Sequence, residues 1–255
     1  MIYQGNKRNL LKNILPYIQR CIDENGITEY FEPFVGGANV IDSVRCANRY
    51  GSDLNPELIE LLNYMRDNPS LPDFPEQCPF EHYADVRENR KKSTGKYQPY
   101  YTAGIGYFAS YGGRYFDGGY GRDARGDRCV YAERLTYAKN QAPNLAGINF
   151  QSCPFNEVNV SPNSFVYCDP PYIGTKQYSK NKFDYEVYYD WLRKISADSF
   201  VLVSEYNMPS DFIPLWEKER KVMQKSDRQS AEVAVEKLFT LNDGRYHKWA
   251  MEAGL

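Results

Sequence analysis

Ser164-Phe165-Val166-Tyr167-Cys168-Asp169-Pro170-Pro171-Tyr172 decides the fold class. Its first five residues carry no charge and form the continuous apolar run of a strand buried on both faces. Strands of that kind belong to parallel sheets covered by helices. The run stops at an acid and two prolines, which cannot extend a hydrogen-bonded ladder. Outward from this point the chain alternates strand-like and helix-like text. Thr28 to Phe34 predicts a strand, followed by the turn Val35-Gly36-Gly37-Ala38 and a helical pattern through Val40, Ile41 and Val44. A second unit begins at Tyr50-Gly51-Ser52-Asp53-Leu54-Asn55-Pro56, with a helix through Leu58, Ile59, Leu61, Leu62 and Met65. Ahead of both, Leu10, Leu11, Ile14, Leu15, Ile18 and Ile22 predict an amphipathic helix that Pro16 would kink or delay. Downstream come a helix through Val187, Tyr188, Trp191, Leu192 and Ile195, and a buried strand Phe200 to Val203. Two β-prone runs, Ala231 to Val235 and Leu238 to Leu241, predict a terminal hairpin. The sum is an α/β fold, a sheet flanked by helices.

The rhythm breaks once. From Pro69 to Lys96 the text is rich in Pro, Lys and Glu; from Tyr97 to Arg128 it is dominated by Gly, Tyr and Arg. The uncharged stretch Tyr97 to Gly113 reads as loop. A helix-like segment, Val130 to Gln141, leads back to the core. Residues 57–148 are therefore expected to be a mainly helical and loop module inserted between core segments 1–56 and 149–255.

With 255 residues, 42% hydrophobic and 25% charged, the chain can bury one core plus a smaller module. It contains no apolar run long enough for a transmembrane helix, and its start lacks the apolar centre of a signal peptide, so a cytoplasmic protein is expected. Cys21, Cys46, Cys78, Cys129, Cys153 and Cys168 include no Cys-x-x-Cys pair, and His82 and His247 are the two histidines. Neither a zinc site nor a His-based triad is expected, and no metal. A net charge of −2 does not advertise a nucleic-acid binder. Yet residues 86–140 hold 11 Lys/Arg against 5 Asp/Glu, interleaved with tyrosines. Such a segment is either a solvated basic face or a surface that tracks phosphates and stacks on bases.

Asp169 to Tyr172 lies at the carboxyl end of a buried strand, the edge where open α/β sheets bind ligands. The plain reading is a rigid turn. The chemical reading starts from stiffness: a residue before proline is held extended, and neither proline donates a hydrogen bond. The corner thus offers a carboxylate, a carbonyl and an aromatic ring. The exocyclic nitrogen of adenine is a poor nucleophile because its lone pair is delocalised into the ring. If Asp169 and the Pro170 carbonyl each accept one of its two N–H bonds, the nitrogen can pyramidalise and direct the lone pair at a methyl donor. One such charge-assisted bond is worth about 10²- to 10³-fold in rate. Tyr172 would stack on the ring, and a base in a duplex must first be flipped out. Glu32-Pro33-Phe34-Val35-Gly36-Gly37 is not the dinucleotide fingerprint, and such a glycine pair also serves as a simple tight turn. Asp53 closes the second strand, where an acid holds ribose hydroxyls or caps the helix that follows. Together they describe a pocket for an adenosine-containing cofactor without a pyrophosphate.

These elements, in order, resemble the Dam-type (class alpha) family of DNA adenine methyltransferases. Tyr3-x-Gly5-Asn6-Lys7 with Leu10-Leu11 is similar to its opening motif, Phe31-Glu32-Pro33-Phe34-x-Gly36-Gly37 to its S-adenosylmethionine loop, and Ser52-Asp53-Leu54-Asn55 to its ribose-binding motif. Asp169 to Tyr172 is similar to its catalytic tetrapeptide. Softer matches, Ser110-Tyr111-Gly112-Gly113-Arg114-Tyr115-Phe116, Gly119-Tyr120, Ser204-Glu205-Tyr206-Asn207 and Glu236-Lys237-Leu238-Phe239, resemble a phage- and restriction-associated subgroup. The resemblance implies a Rossmann-like methyltransferase sheet with an inserted DNA-recognition module, and methyl transfer from S-adenosylmethionine to adenine N6 in double-stranded DNA by a monomer. It implies cofactor contacts at Tyr3, Lys7, Glu32, Phe34, Gly36, Asp53, Phe155 and Asp169, and catalysis by Asp169, Pro170 and Tyr172. Arg114, Arg122 and Arg125 are the candidate DNA contacts. Two departures stand out: Ala38 replaces a third glycine, which a backbone with φ below zero would tolerate, and Pro154 stands where many members carry Asp. The alternatives are an amino-methyltransferase acting on RNA adenine, cytosine N4 or a protein glutamine, and a DNA-binding relative without catalysis. Asp as first letter of the tetrapeptide favours adenine, and its intactness favours an enzyme.

Overall fold

The computed structural model describes residues 1–3, 5–123, 128–172, 183–223 and 231–254. In chain order the elements are α1 (Leu11–Asn25), β1 (Glu29–Glu32), β2 (Asn48–Asp53), α2 (Pro56–Asp67), α3 (Phe80–Lys91), α4 (Pro99–Ala109), α5 (Val130–Gln141), β3 (Ile148–Ser152), β4 (Phe165–Cys168), α6 (Tyr185–Ile195), β5 (Phe200–Glu205), β6 (Phe212–Met223), β7 (Ala231–Leu241) and α7 (Arg245–Glu252). The strands form one sheet in the order β3-β2-β1-β4-β5-β7-β6. The first five are parallel neighbours, whereas β7 runs antiparallel to both β5 and β6.

Every residue of β4 and β5 is buried, as a strand covered on two faces requires. Their side chains alternate between two cores. Phe165, Tyr167, Phe200 and Leu202 join the larger core with α1, α2, α4 and α5, while Val166, Cys168, Val201 and Val203 face Tyr188, Tyr189 and Leu192 of α6. The strand order reverses between β1 and β4, which places a crevice at their carboxyl ends. Glu32, Asp53 and Asp169 stand at the ends of β1, β2 and β4 on that edge.

Several expectations are corrected. The helical pattern after the glycine pair yields only a short 3-10 turn, Ile41–Ser43, because Val44 is extended and leads into β2. The stretch read as loop contains α4, in which every residue from Thr102 to Ala109 is buried. A helix apolar all round shows no period, and its glycines let rings approach: the Phe74 ring lies where a side chain on Gly104 would stand. The two terminal runs are one strand, β7, paired along its length with β6. Glu236 and Lys237 resemble a break in the sequence, but Lys237 pairs with Glu205 inside the ladder. The strand β6 holds Pro214 beside a register shift, and the outermost place in the sheet tolerates both. Pro16 sits inside α1, which nonetheless runs on to a left-handed Gly26 cap.

Candidate active site

Asp169 follows the last residue of β4, and its side chain is 19% exposed. Lys7, from the segment before α1, donates from Nζ to Asp169 Oδ1 at 2.7 Å. The same ammonium lies 3.5 Å from Oε1 of Glu236 on β7; the Lys7 and Glu236 side chains are 5% and 1% exposed. Tyr172 is 9% exposed and donates its hydroxyl to Glu236. Lys7 Nζ sits 4.6 Å above the Tyr172 ring centre, and Tyr206 meets that ring edge-on at 4.6 Å. Pro170 is buried, and Tyr185 of α6 donates to the Pro171 carbonyl at 2.9 Å, pinning the corner from the other face. Burial pushes the Asp169 carboxyl above the usual range, Lys7 pulls it back in part, and Glu236 pushes it up further. Burial alone would lower Lys7, but Asp169 and Glu236 together raise it.

The glycine turn borders this corner. Gly36 has φ +47, and a Cβ there would stand 2.9 Å from the Tyr3 ring. Gly36 N–H donates to Asp53 Oδ2 at 3.1 Å, and Asn55 N–H to Asp53 Oδ1 at 3.0 Å. Asp53 is thus not the cap of α2. Asn55 is, accepting from the Glu57 and Leu58 N–H groups. Burial raises the Asp53 carboxyl, and the backbone donors hold it down in part. Beside it Leu54 is 63% exposed. Phe34 and Phe155 lie with centres 5.6 Å apart and join Phe183, Tyr188 and Trp191 in an aromatic wall. Glu32 is buried beneath the crevice and accepts from Tyr30 Oη at 3.1 Å; burial raises its carboxyl well above the usual range, and the charges of Asp169 and Asp42 add to this. Ala38 has φ +55, against the expected negative value, so an alanine methyl occupies a left-handed position in a buried turn. That turn is held from below: Gln141 Nε2, at the end of α5, donates to the Gly37 and Ala38 carbonyls at 3.0 Å each and to Asp42 Oδ2 at 2.8 Å.

Of the candidate DNA contacts, Arg114 is half-buried after the turn Tyr111–Gly113, and Arg122 is exposed over the rings of Phe80 and Tyr120. Arg125 lies outside the described residues. Part of the basic excess has internal partners: Arg134 donates to the carbonyls of Tyr107, Phe108 and Ser110, and Arg90 pairs with Glu57. Among the described residues no group of His, Cys, Asp and Glu could hold a metal ion, and no helix is long and apolar enough to cross a membrane.

The D12 class N6 adenine-specific DNA methyltransferase family matches residues 3–202. The chain belongs to this family. It is also similar to the Type II methyltransferase M1.LlaDCHI of Lactococcus lactis subsp. cremoris, with 27% identity over 208 residues, 72% of this chain and 71% of that protein. The reaction of this methyltransferase is transfer of a methyl group to the N6 amine of adenine in DNA. Sequence reading placed Glu236 in a softer motif without assigning it to the site, and it missed Gln141; the structure sets Glu236 beside Lys7 and Tyr172, and Gln141 beneath the glycine turn. The signal for Glu236 was its two-residue spacing from the buried Leu238 and Thr240, which turns a charged residue inward. Gln141 carried none.

Proposed function

We propose that this DNA methyltransferase uses S-adenosylmethionine and activates the adenine amine at the Asp169–Tyr172 corner. The observation that carries the reading is the convergence of Lys7, Asp169 and Tyr172 with the glycine turn and Asp53 at one crevice, formed where the strand order reverses. The donor set fits the cofactor. Asp53, anchored by the Gly36 N–H, presents a carboxylate for ribose hydroxyls, and Phe34, Phe155 and exposed Leu54 offer apolar surface to a purine. Tyr3 fixes the turn and Lys7 the acidic corner, while Glu32 lies beneath both. When bound, S-adenosylmethionine supplies an electrophilic methyl group.

Asp169 and the Pro170 carbonyl accept the two N–H bonds of the amine, so its lone pair is no longer committed to the ring. Tyr172 stacks on the flipped base. Residues 57–148 form the recognition module between core segments 1–56 and 149–255, with α2, which packs on β2 and β3, joining it to the sheet. Arg114, Arg122 and Arg125 contact double-stranded DNA, and the enzyme acts as a monomer in the cytoplasm. The test is to sequence modified bases in a plasmid from cells expressing the protein. N6-methyladenine confined to one short sequence, and absent with Asp169→Asn, is expected. Unmodified adenine throughout with wild-type protein overturns the reading.

A further inference from the structure

Glu236 lies beyond the segment matched by the family, on the antiparallel strand β7. It is held there from both sides. Its neighbour Lys237 pairs with Glu205 of β5, and Glu236 itself stands opposite Lys218 of β6. Its carboxylate accepts the Tyr172 hydroxyl and lies 3.5 Å from the Lys7 ammonium, which is 2.7 Å from Asp169.

This arrangement poses a conflict for the reaction. Asp169 must accept an N–H of adenine, yet its Oδ1 already accepts from Lys7. The carboxylate has a second oxygen, but an ammonium held on one draws charge from both, so the whole group is a weaker acceptor for a neutral amine. Lys7 is 5% exposed, so on leaving Asp169 it cannot simply hydrate, and a buried unpaired ammonium is strongly disfavoured. It needs a second anion within reach. Glu236 is that anion, already 3.5 Å from the same ammonium.

We propose that Glu236 is a positioning residue that takes Lys7 over from Asp169 when the target adenine enters, while tethering the phenol of Tyr172 against which the base stacks. Glu236 itself does not touch the reacting atoms. The inference rests on the reading of Asp169 as the acceptor for the amine.

The test is a cycle of four enzymes, wild type, Glu236→Gln, Lys7→Met and the double variant, assayed by single-turnover methylation, by fluorescence of 2-aminopurine at the target position and by S-adenosylmethionine affinity. Glutamine keeps an acceptor for Tyr172 but no charge for Lys7, which then stays on Asp169. Glu236→Gln is expected to slow the single turnover by about tenfold or more and to leave cofactor affinity within about threefold. In the Lys7→Met background the same substitution should change the rate less than about twofold, because there is no ammonium to relocate. Glu236→Asp, which keeps the charge, should restore most of the rate. No loss in Glu236→Gln, an equal loss in the Gln and Asp variants, or a loss of the same factor in both backgrounds overturns the proposal. Should Glu236→Gln fail to fold, Glu236→Asp is assayed alone, and a single-turnover loss of about tenfold or more despite the retained charge overturns the proposal. Asp169→Asn, assayed alongside, separates the two failures. If that variant is active, the reading of the site falls; if it is inactive while Glu236→Gln behaves as wild type, only the role of Glu236 falls.

Discussion

Replacing Asp169 with asparagine is expected to abolish most of the activity while leaving the fold as stable as before, or more so. The loss of activity follows from the proposed role of Asp169 as acceptor for the amine, and the unchanged stability from the charges around it. Three charged groups share the corner, two carboxylates and one ammonium, with Lys7 and Glu236 almost fully buried. Burial raises the Asp169 carboxyl and Glu236 raises it further, with Lys7 offsetting only part. An acid whose pKa is higher in the fold than in the open chain binds a proton more readily when folded, so stability falls as pH rises past its ordinary value of 3.8. At neutral pH the ionised carboxylate is therefore a cost to the fold. Asparagine removes that cost and leaves Lys7 paired with Glu236. Against this stands the loss of one charge-assisted hydrogen bond, worth about 1.5–3 kcal/mol, which the relieved burial of charge, of several kcal/mol per ion, is large enough to match. At about 2–4 °C per kcal/mol for a chain of this size, the melting temperature should stay within about 4 °C of wild type or rise. The rate should drop by about 10²- to 10³-fold, since the amide presents one acceptor fewer to the amine. Single-turnover methylation of a defined duplex and a thermal melt of the same sample measure both. A variant that loses activity together with more than about 4 °C of melting temperature, or one that keeps activity, refutes the reasoning.

The same sign governs Glu32, whose carboxyl is raised from 4.5 by burial. Its contribution is complete below that value and is lost as pH rises through the raised one, so Glu32→Gln should melt higher than wild type by a margin that grows as pH rises above 4.5; a margin that shrinks with pH contradicts the assignment. Tyr172→Ala should weaken stabilisation of the flipped base by about 1–3 kcal/mol, read as 2-aminopurine fluorescence, whereas Tyr172→Phe keeps the ring and should retain most of the signal. Equal signals from the two variants would remove stacking from the account. For Arg114 and Arg122, each substitution by alanine that removes a phosphate contact should reduce the slope of log affinity against log salt by about 0.9. An unchanged slope in both places these residues away from the DNA.

Sequence reading recovered the parallel centre of the sheet because strands buried on both faces announce themselves as uncharged runs, as Phe165–Cys168 and Phe200 to Val203 do. The places of Asp169 and Asp53 were legible for a related reason: Asp53 is the last residue of its strand and Asp169 follows directly on its own, so identity and location come together. Elements whose context outweighs local preference were not legible. The helix Pro99–Ala109 has no polar face to give it a period, and β6 carries Pro214 and a string of charges that only the outermost place in the sheet permits. Ala38 shows the limit most directly. Its composition predicts φ below zero, yet the Val35 and Gly37 carbonyls that anchor the turn bend it to +55. Glu236 joins residues 7, 169 and 172 across three separate stretches of chain, a proximity that no local pattern encodes.

The side-chain amide of Gln141, the last residue of α5, grips two carbonyls of the turn beside the crevice. A displacement of that helix by even an ångström would stretch three hydrogen bonds at once, and the turn would follow or come loose.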